Sequence, residues 1–424
     1  MKLYGNTKLV FLSGYRNLDE KKILMIKDTK PLTGIRVLDI ACFIAAPYAA
    51  TIMGEFGADV IKVEHPNGGD PWRRYGTKTD LPDQSLAWLN EARNKRSITL
   101  DLSKKEGAEV LKKLIKTADV VCENFRPGTL ERWNVDPTRL NTKLVSVRIS
   151  VFGQDGPKSN RPGLDRNGVA YGGLLHLTGE PDRPPVRPGV TVTDYLTALF
   201  AAQAAMGLLY ERDARGTGQG GVIDAYLYGS ALRILEWTIA AYDRLGTVRS
   251  RRGNRLDYAA PLDNYPSRDG KYVCIVGAAQ SNFTRLCRAM GRQDLIDDER
   301  FVTPAARAAN NDEINAIVTE WVAQYDADEI EQRCVDHDVI VGTAYDAADL
   351  SMDEQVLARG DILAVEDPVI GAIRQQAPFP RIVGQPLEVP AGAPRLGEHT
   401  DEVLAAVVGL SPSEIDELRA NAVI

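Results

Sequence analysis

The chain has 424 residues, 44% of them hydrophobic, and a formal net charge of −7 with acidic and basic side chains interspersed. That length is enough for more than one domain with its own core. The mixed charge argues against a dedicated nucleic-acid binder while permitting local basic pockets for phosphate groups.

Residues 1–32 read as an N-terminal extension whose apolar core is too short for the h-region of a secretory signal. The apolar run "YLTALFAAQAAMGLLY" (195–210) is shorter than the roughly 20 residues a membrane-spanning helix needs, and it carries Thr and Gln. Cys42, Cys122, Cys274, Cys287 and Cys334 are scattered without a CxxC pair. That is the pattern of free thiols in a reducing compartment, so a cytoplasmic setting is expected.

From residue 36 onward, short β-branched runs alternate with helical patterns. "RVLDIA" (36–41) reads as a buried strand, "PYAATIMGEFGA" (47–58) as a small-residue helix and "DVIKVEHP" (59–66) as the next strand. "RSITLDL" (96–102), the amphipathic "KEGAEVLKKLIKTA" (105–118), "DVVCENF" (119–125) and "KLVSVRIS" (143–150) continue the alternation. Continuous apolar strands joined by helical crossovers predict a parallel sheet covered on both faces. Ser103 and Glu106 have the spacing of a capping box for the 105–118 helix.

The pattern changes near residue 226. "LYGSALRILEWTIAAYDRLG" (227–246) predicts one long helix leading into the Arg/Gly-rich loop "RSRRGNRLDYAAP" (249–261). A hairpin-and-helix module follows in 269–292, then a connecting segment, "IVGTAYDAADLSMDEQVLARGDIL", and a helical end at 397–420. The expected organisation is an extension (1–32), the first part of a large α/β domain (33–225), a linker helix (226–249), a small domain (250–344) and a return segment completing the large domain (345–424).

A parallel sheet invites a dinucleotide-binding reading. However, the first strand-to-helix turn, "ACFIAAPYAA", has no glycine and carries Pro47, and no P-loop sequence occurs. The four histidines, His65, His176, His337 and His399, show no metal-ligand spacing, and there is no G-x-S-x-G elbow. His399 in "GEHTDEV" reads as a helix-start contact. Carboxylates remain: Asp165 in "RPGLDRNG" and Asp194 in "GVTVTDYL", each just after a glycine-containing turn. Alone, the second stretch favours a helix-capping aspartate. The same position would keep the carboxylate ionised, and an ionised carboxylate shielded from water is a competent nucleophile. Both readings stay open on these residues.

The stretches "PLTGIRVLDIACFIAAPYAATIMGEFGADVIKVEHPNGGD" (31–70), "NKRSITLDL" (94–102), "ENFRPGTLERW" (123–133), "PVRPGVTVTDYLTALFA" (185–201), "GTGQGGVIDA" (216–225) and "PRLGEHTDEVL" (394–404) carry a resemblance. The chain resembles the family III CoA-transferases, the group of formyl-CoA, carnitine-CoA and succinyl-CoA-dependent transferases related to the α-methylacyl-CoA racemases. The resemblance implies a large Rossmann-like domain with a parallel sheet built from both chain ends, a smaller α+β domain, and two interlocked subunits. It implies an acyl-CoA:carboxylate CoA-transferase with Asp194 as the nucleophile, working through aspartyl anhydride and aspartyl-CoA thioester intermediates. CoA enters as a thioester substrate, and no metal or permanently bound cofactor is implied.

The CoA contacts carried over by the resemblance are Ala45, Leu100, Asn124, Phe125 and Arg132. His65 and Leu164, with Asp165, occupy further contact positions. His65 stands where an arginine often contacts the nucleotide, and Leu164 where the formyl-CoA branch has tyrosine. The racemases carry histidine at that point, so "GLD" lacks one of their two acid/base groups. The family's glycine-rich loop is reduced to Gly253-Asn254, beside Arg252. Arg249, Arg251, Arg252 and Arg255 together suit a second substrate carboxylate, and "PVRPGVTVTD" looks most like members using succinyl-CoA and a dicarboxylic acid. The partners expected are acyl-CoA, small carboxylic acids and a second copy or related subunit, without nucleic acid or membrane. The alternatives are a racemase-type isomerase and a non-catalytic CoA-binding subunit of a hetero-oligomer.

Overall fold

The computed structural model describes residues 30–424, so all but the last three residues of the expected 1–32 extension lie outside the described residues. The chain forms two compact units. The first comprises the described residues up to Leu174, Gly189–Glu236 and Gln355–Ile424; the second comprises Leu175–Pro188 and Trp237–Glu354.

The first unit opens with β1 (Arg36–Asp39), α1 (Ala45–Glu55), β2 (Asp59–Glu64), α2 (Leu86–Glu91), β3 (Lys95–Thr99), α3 (Lys105–Thr117), β4 (Val120–Glu123) and β5 (Val145–Ser150). It continues with α4 (Asp165–Tyr171), α5 (Val192–Asp213), β6 (Gly221–Tyr226) and α6 (Leu227–Arg233). The six strands pair in parallel in the order β3-β2-β1-β4-β5-β6. The inner strands are legible as near-continuous buried runs, as a sheet covered on both faces requires. β6 was not among the expected strands. It is an edge strand with alternating exposure, so it lacks the continuous apolar run.

On one face of the sheet, Ala46, Ala49, Ala50 and Met53 of α1 pack with Ala198, Ala201, Ala202 and Ala205 of α5. Small side chains let the two helices approach closely, and this contact places their N-terminal ends together. α5 is long and apolar enough to cross a bilayer by length and composition alone; here its alanine face lies in the core. On the other face, α3 buries Val110, Leu111, Leu114 and Ile115. Burying each of these stabilises the fold by about 1.5–3 kcal/mol. α3 starts without the expected capping box. Asp101 takes the Ser103 amide at 3.0 Å and its hydroxyl at 2.6 Å, and Lys104 becomes the N-cap. Gly107 is required there, because a Cβ would sit 2.0 Å from the Asp101 carbonyl oxygen.

The second unit contains α7 (Thr238–Leu245), β7 (Leu262–Pro266), β8 (Tyr272–Val276), α8 (Gln280–Ala289), α9 (Asn311–Val322), α10 (Ala327–Val335) and β9 (Ile340–Thr343). The single helix expected over 227–246 is two helices, α6 and α7, broken where Glu236 adopts φ 53°. The connecting segment expected from Ile340 begins instead with a strand, since β9 pairs antiparallel with β8. Its core gathers Tyr265, Phe283, Phe301, Val318 and Ile330.

The return segment adds an antiparallel ribbon, β10 (Ile362–Asp367) with β11 (Gly371–Gln376), and the helices α11 (Thr400–Val403) and α12 (Pro412–Ala420). Both chain ends build the first unit, but the parallel sheet itself takes no strand from residues beyond Tyr226. The return segment covers the sheet instead, with Val403, Leu404, Leu410 and Ile415 packed beside α3.

Candidate active site

The strand order reverses between β1 and β4, and in such sheets ligands bind outside the carboxyl ends of the strands at that switch. The loops leaving β1 and β4 are locked together there. Asn124 accepts the Cys42 amide at 2.9 Å and donates to the Cys42 carbonyl at 2.7 Å. Asp70 accepts the Phe43 amide at 3.0 Å, holding this residue at φ 65°, a conformation that strains a bulky side chain. Beneath the turn, Lys62 bridges Asp39 (3.4 Å) and Asp70 (2.8 Å), and Lys95 meets Asp39 at 2.9 Å, all nearly inaccessible to solvent. Burial alone would raise the Asp39 carboxyl; the Lys62 and Lys95 ammoniums outweigh it and hold the group below its usual range. Burial pushes the Cys42 thiol up to about 11, so it is no thiolate at neutral pH.

α5 begins at this same edge, as the Tyr48 ring of α1 meets the Tyr195 ring of α5 edge-on at 4.9 Å. Asp194 is the third residue of α5, after the N-cap Thr191, which makes no side-chain cap. The capping group comes from elsewhere. Asp165, 4% exposed, accepts the Thr193 amide at 2.9 Å and the Thr193 hydroxyl at 2.7 Å. Gly168 permits this approach, since a Cβ there would lie 2.8 Å from both Thr193 Oγ1 and Leu227 Cβ.

Asp194 is thereby left half-buried, with no hydrogen-bond partner among the described residues. Burial first, and the Asp165 charge second, push its carboxyl up to about 7. The expectation that the helix mouth keeps it charged is therefore corrected. A helix end supplies about 0.3–1 kcal/mol at a surface, less than the 1.36 kcal/mol of one pKa unit, and burial exceeds that.

The other expected positions divide by element. Ala45 starts α1 and is 5% exposed, and Leu100, just after β3, is 1% exposed with its side chain in the core. His65, just after β2, is half exposed, with Nδ1 accepting the Asn67 amide at 3.0 Å and Nε2 lying 3.7 Å from Asp101. Phe125 packs edge-on against Trp133 at 5.0 Å, and the exposed Arg132 donates to Thr129 Oγ1 at 2.7 Å. With Asn124, these residues all follow carboxyl ends of β1 to β4, on one edge of the sheet. Leu164, 67% exposed, precedes Asp165 and offers no acid/base atom.

The loop positions belong to the second unit. Arg252 pairs with Asp257 at 3.1 Å, Gly253 adopts φ 60° and donates to the Gly179 carbonyl at 3.0 Å, and Asn254 is exposed. The arginines expected to hold a second carboxylate are already engaged within that unit. Arg251 donates to the Glu180 and His176 carbonyls, Arg255 to Asp263 and Asp312, and Arg249 to Thr238. His399 occupies the N-cap of α11 but makes no side-chain cap, and its Nδ1 is without a partner among the described residues. It borders a cavity of about 410 Å³ at the amino ends of β2 and β3, on the opposite edge of the sheet from the residues above.

Sequence patterns did not indicate Asp70, Glu91 or Tyr48. Tyr195 directly follows Asp194, yet nothing local marks its hydroxyl as the partner of Glu91, which it meets at 3.0 Å.

The description of CoA-transferase family III matches this chain over residues 32–400. The chain is 41% identical over 405 residues to the succinyl-CoA–L-malate CoA-transferase beta subunit of Chloroflexus aurantiacus, covering 93% of this chain and 98% of that protein. It is 39% identical over 398 residues to the succinyl-CoA–D-citramalate CoA-transferase of the same organism, covering 93% and 98%. Among solved structures, a CAIB/BAIF family protein from Brucella suis superposes with a TM-score of 0.81 at 32% identity, over 89% of this chain and 100% of that one. The match runs over nearly the whole described chain, and the chain belongs to CoA-transferase family III.

Proposed function

We propose that this protein transfers CoA from succinyl-CoA to a small dicarboxylic or hydroxydicarboxylic acid, with Asp194 as the nucleophile. The observation that carries the reading is the state of Asp194: half-buried, unpartnered among the described residues, and relieved of helix capping by Asp165. A carboxylate without hydrogen-bond donors keeps its electron pair available, and its raised pKa makes the ionised form more basic. The named substrates of the Chloroflexus relatives support succinyl-CoA as donor and malate- or citramalate-like acids as acceptors.

The steps balance without an external reagent. Asp194 attacks the thioester carbonyl, the C–S bond breaks, and CoA leaves as thiolate, forming a mixed anhydride. The thiolate attacks the aspartyl carbonyl and expels succinate, giving an aspartyl-CoA thioester. The acceptor carboxylate attacks that thioester and expels CoA thiolate, forming a second mixed anhydride. The thiolate then attacks the acceptor carbonyl of that anhydride, giving the acceptor-CoA thioester and restoring the Asp194 carboxylate. Water must be excluded for the anhydride to survive.

In this reading Ala45, His65, Asn124, Phe125, Arg132 and Leu164 face the CoA moiety at the carboxyl edge of a Rossmann-like sheet, and Leu100, whose side chain lies in the core, borders it through its main chain. Arg252, Gly253 and Asn254 form the substrate loop. The assembly is an interlocked dimer, and the beta-subunit name of one relative supports a related second subunit as the variant form. The free thiols support a cytoplasmic setting. The racemase reading is disfavoured by Leu164, whose side chain cannot move a proton.

The test is incubation with succinyl-CoA and peptide mapping. A hydroxylamine-sensitive adduct on the Asp194 peptide is expected. Absence of any adduct, together with full transfer activity in Asp194→Ala, overturns the mechanism.

A further inference from the structure

Asp194 stands between two residues that are each tethered to a carboxyl from another element. Thr193 is bound by Asp165 of α4, as described. On the other side, the Tyr195 hydroxyl donates to Glu91 Oε1 at 3.0 Å, at the end of α2. Asn90 Nδ2 donates to the same oxygen at 3.0 Å, while Glu91 Oε2 is buried without a partner among the described residues. The Glu91 main chain is anchored in turn, its carbonyl accepting the Thr51 hydroxyl of α1 at 2.6 Å. α1, α2 and the first turn of α5 are thus joined through one residue.

We propose that Glu91 is a positioning residue for Asp194: its carboxyl grips Tyr195 as Asp165 grips Thr193, and the two grips fix the turn that carries the nucleophile. This inference rests on the reading of Asp194 as nucleophile.

No cation pairs with Glu91 among the described residues. The Tyr48 ring packs edge-on against Tyr195, and the nearby cations are committed elsewhere, Arg93 to Glu55 and Lys95 to Asp39. Burial, opposed by the bonds from Tyr195 and Asn90, raises the Glu91 carboxyl above its usual range. Glu91 touches no reacting atom in this arrangement. It acts through Tyr195, on the geometry of approach, where small misplacements cost large factors in rate.

The experiment compares Glu91→Gln, Glu91→Ala and Tyr195→Phe with the unaltered full chain. The readouts are steady-state kinetics with succinyl-CoA and the rate of hydroxylamine-sensitive adduct formation on the Asp194 peptide. Melting curves select conditions in which every variant is folded. Glu91→Ala and Tyr195→Phe are expected to lower kcat and the rate of adduct formation at least tenfold, with KM for the CoA ester changed less than threefold. Glu91→Gln keeps an acceptor for the Tyr195 hydroxyl and is expected to retain kcat within about threefold. Unchanged kcat in folded Glu91→Ala and Tyr195→Phe overturns the proposal. A Glu91→Gln variant as slow as Glu91→Ala overturns the acceptor role of the Glu91 side-chain oxygen. If the unaltered protein forms no adduct on Asp194, the nucleophile reading itself fails, and the two failures are separate.

Discussion

Asp165 accepts both donors of Thr193, the amide at 2.9 Å and the hydroxyl at 2.7 Å. A carboxylate from α4 thereby supplies the cap of α5, and the acidic residue inside α5, Asp194, is freed from that role. The same two carboxylates repel each other, so the capping contact also perturbs the group it frees.

Activity should therefore depend on pH through Asp194. The carboxylate must be ionised to attack, and its pKa near 7 predicts a rate that falls as pH drops through about 7. Asp165→Asn retains an oxygen for Thr193 but removes the charge. Its acid limb should move to lower pH without reaching the 3.8 of an ordinary aspartate, because burial is the larger cause. A pH–rate profile of kcat/KM checks both, and an unmoved limb would show that the Asp165 charge does not reach Asp194.

Stability should show the opposite face of the same shift. A carboxyl whose pKa is higher in the folded than in the unfolded chain opposes folding once it ionises. The penalty grows as pH rises from about 4 and is fully present above about 7. Asp194→Asn should accordingly melt above the unaltered protein at pH 8, the gap closing toward pH 4. Thermal melts at the two pH values, in the absence of CoA esters, decide it.

Gly168→Ala places a methyl 2.8 Å from Thr193 Oγ1 and Leu227 Cβ. In an ordinary helix that change favours folding, but here overpacking should cost about 1–3 kcal/mol and disturb the Asp165–Thr193 contact. Urea unfolding and kcat should both report the change, and a stabilised, fully active variant would contradict it.

Lys62→Met removes the buried cation that serves both Asp39 and Asp70. Breaking a buried pair typically costs about 3–5 kcal/mol, because uncompensated charge remains. Asp39 keeps Lys95, so the loss should fall mainly on Asp70 and on the Phe43 turn it holds. Equilibrium unfolding measures the loss of stability, and CoA-ester affinity measures the loss of the turn.

Much of the first unit was legible locally. "RVLDIA" and "DVIKVEHP" mark buried parallel strands because every position of such a strand is apolar or paired, and that pattern is written residue by residue. Where local rules misled, a distant group had captured the local one. Ser103 has the spacing of a capping box, but Asp101 binds its hydroxyl first. Asp194 has the place of a helix-start carboxylate, but it is the third residue of α5 rather than its N-cap, and the carboxylate that binds the first-turn amide of Thr193 comes from Asp165. Glu91 has no local signature, since its importance lies in Tyr195, which is 104 residues away.

The sequence alone thus determined the parallel α/β core, the family and the candidate aspartate. Hydrophobic burial and motif order are properties of the chain read in line. The protonation of Asp194, the source of its cap and the grip on Tyr195 were decided only by the tertiary structure. Those properties depend on which charges and donors from separate elements share one water-poor volume, and packing alone sets that.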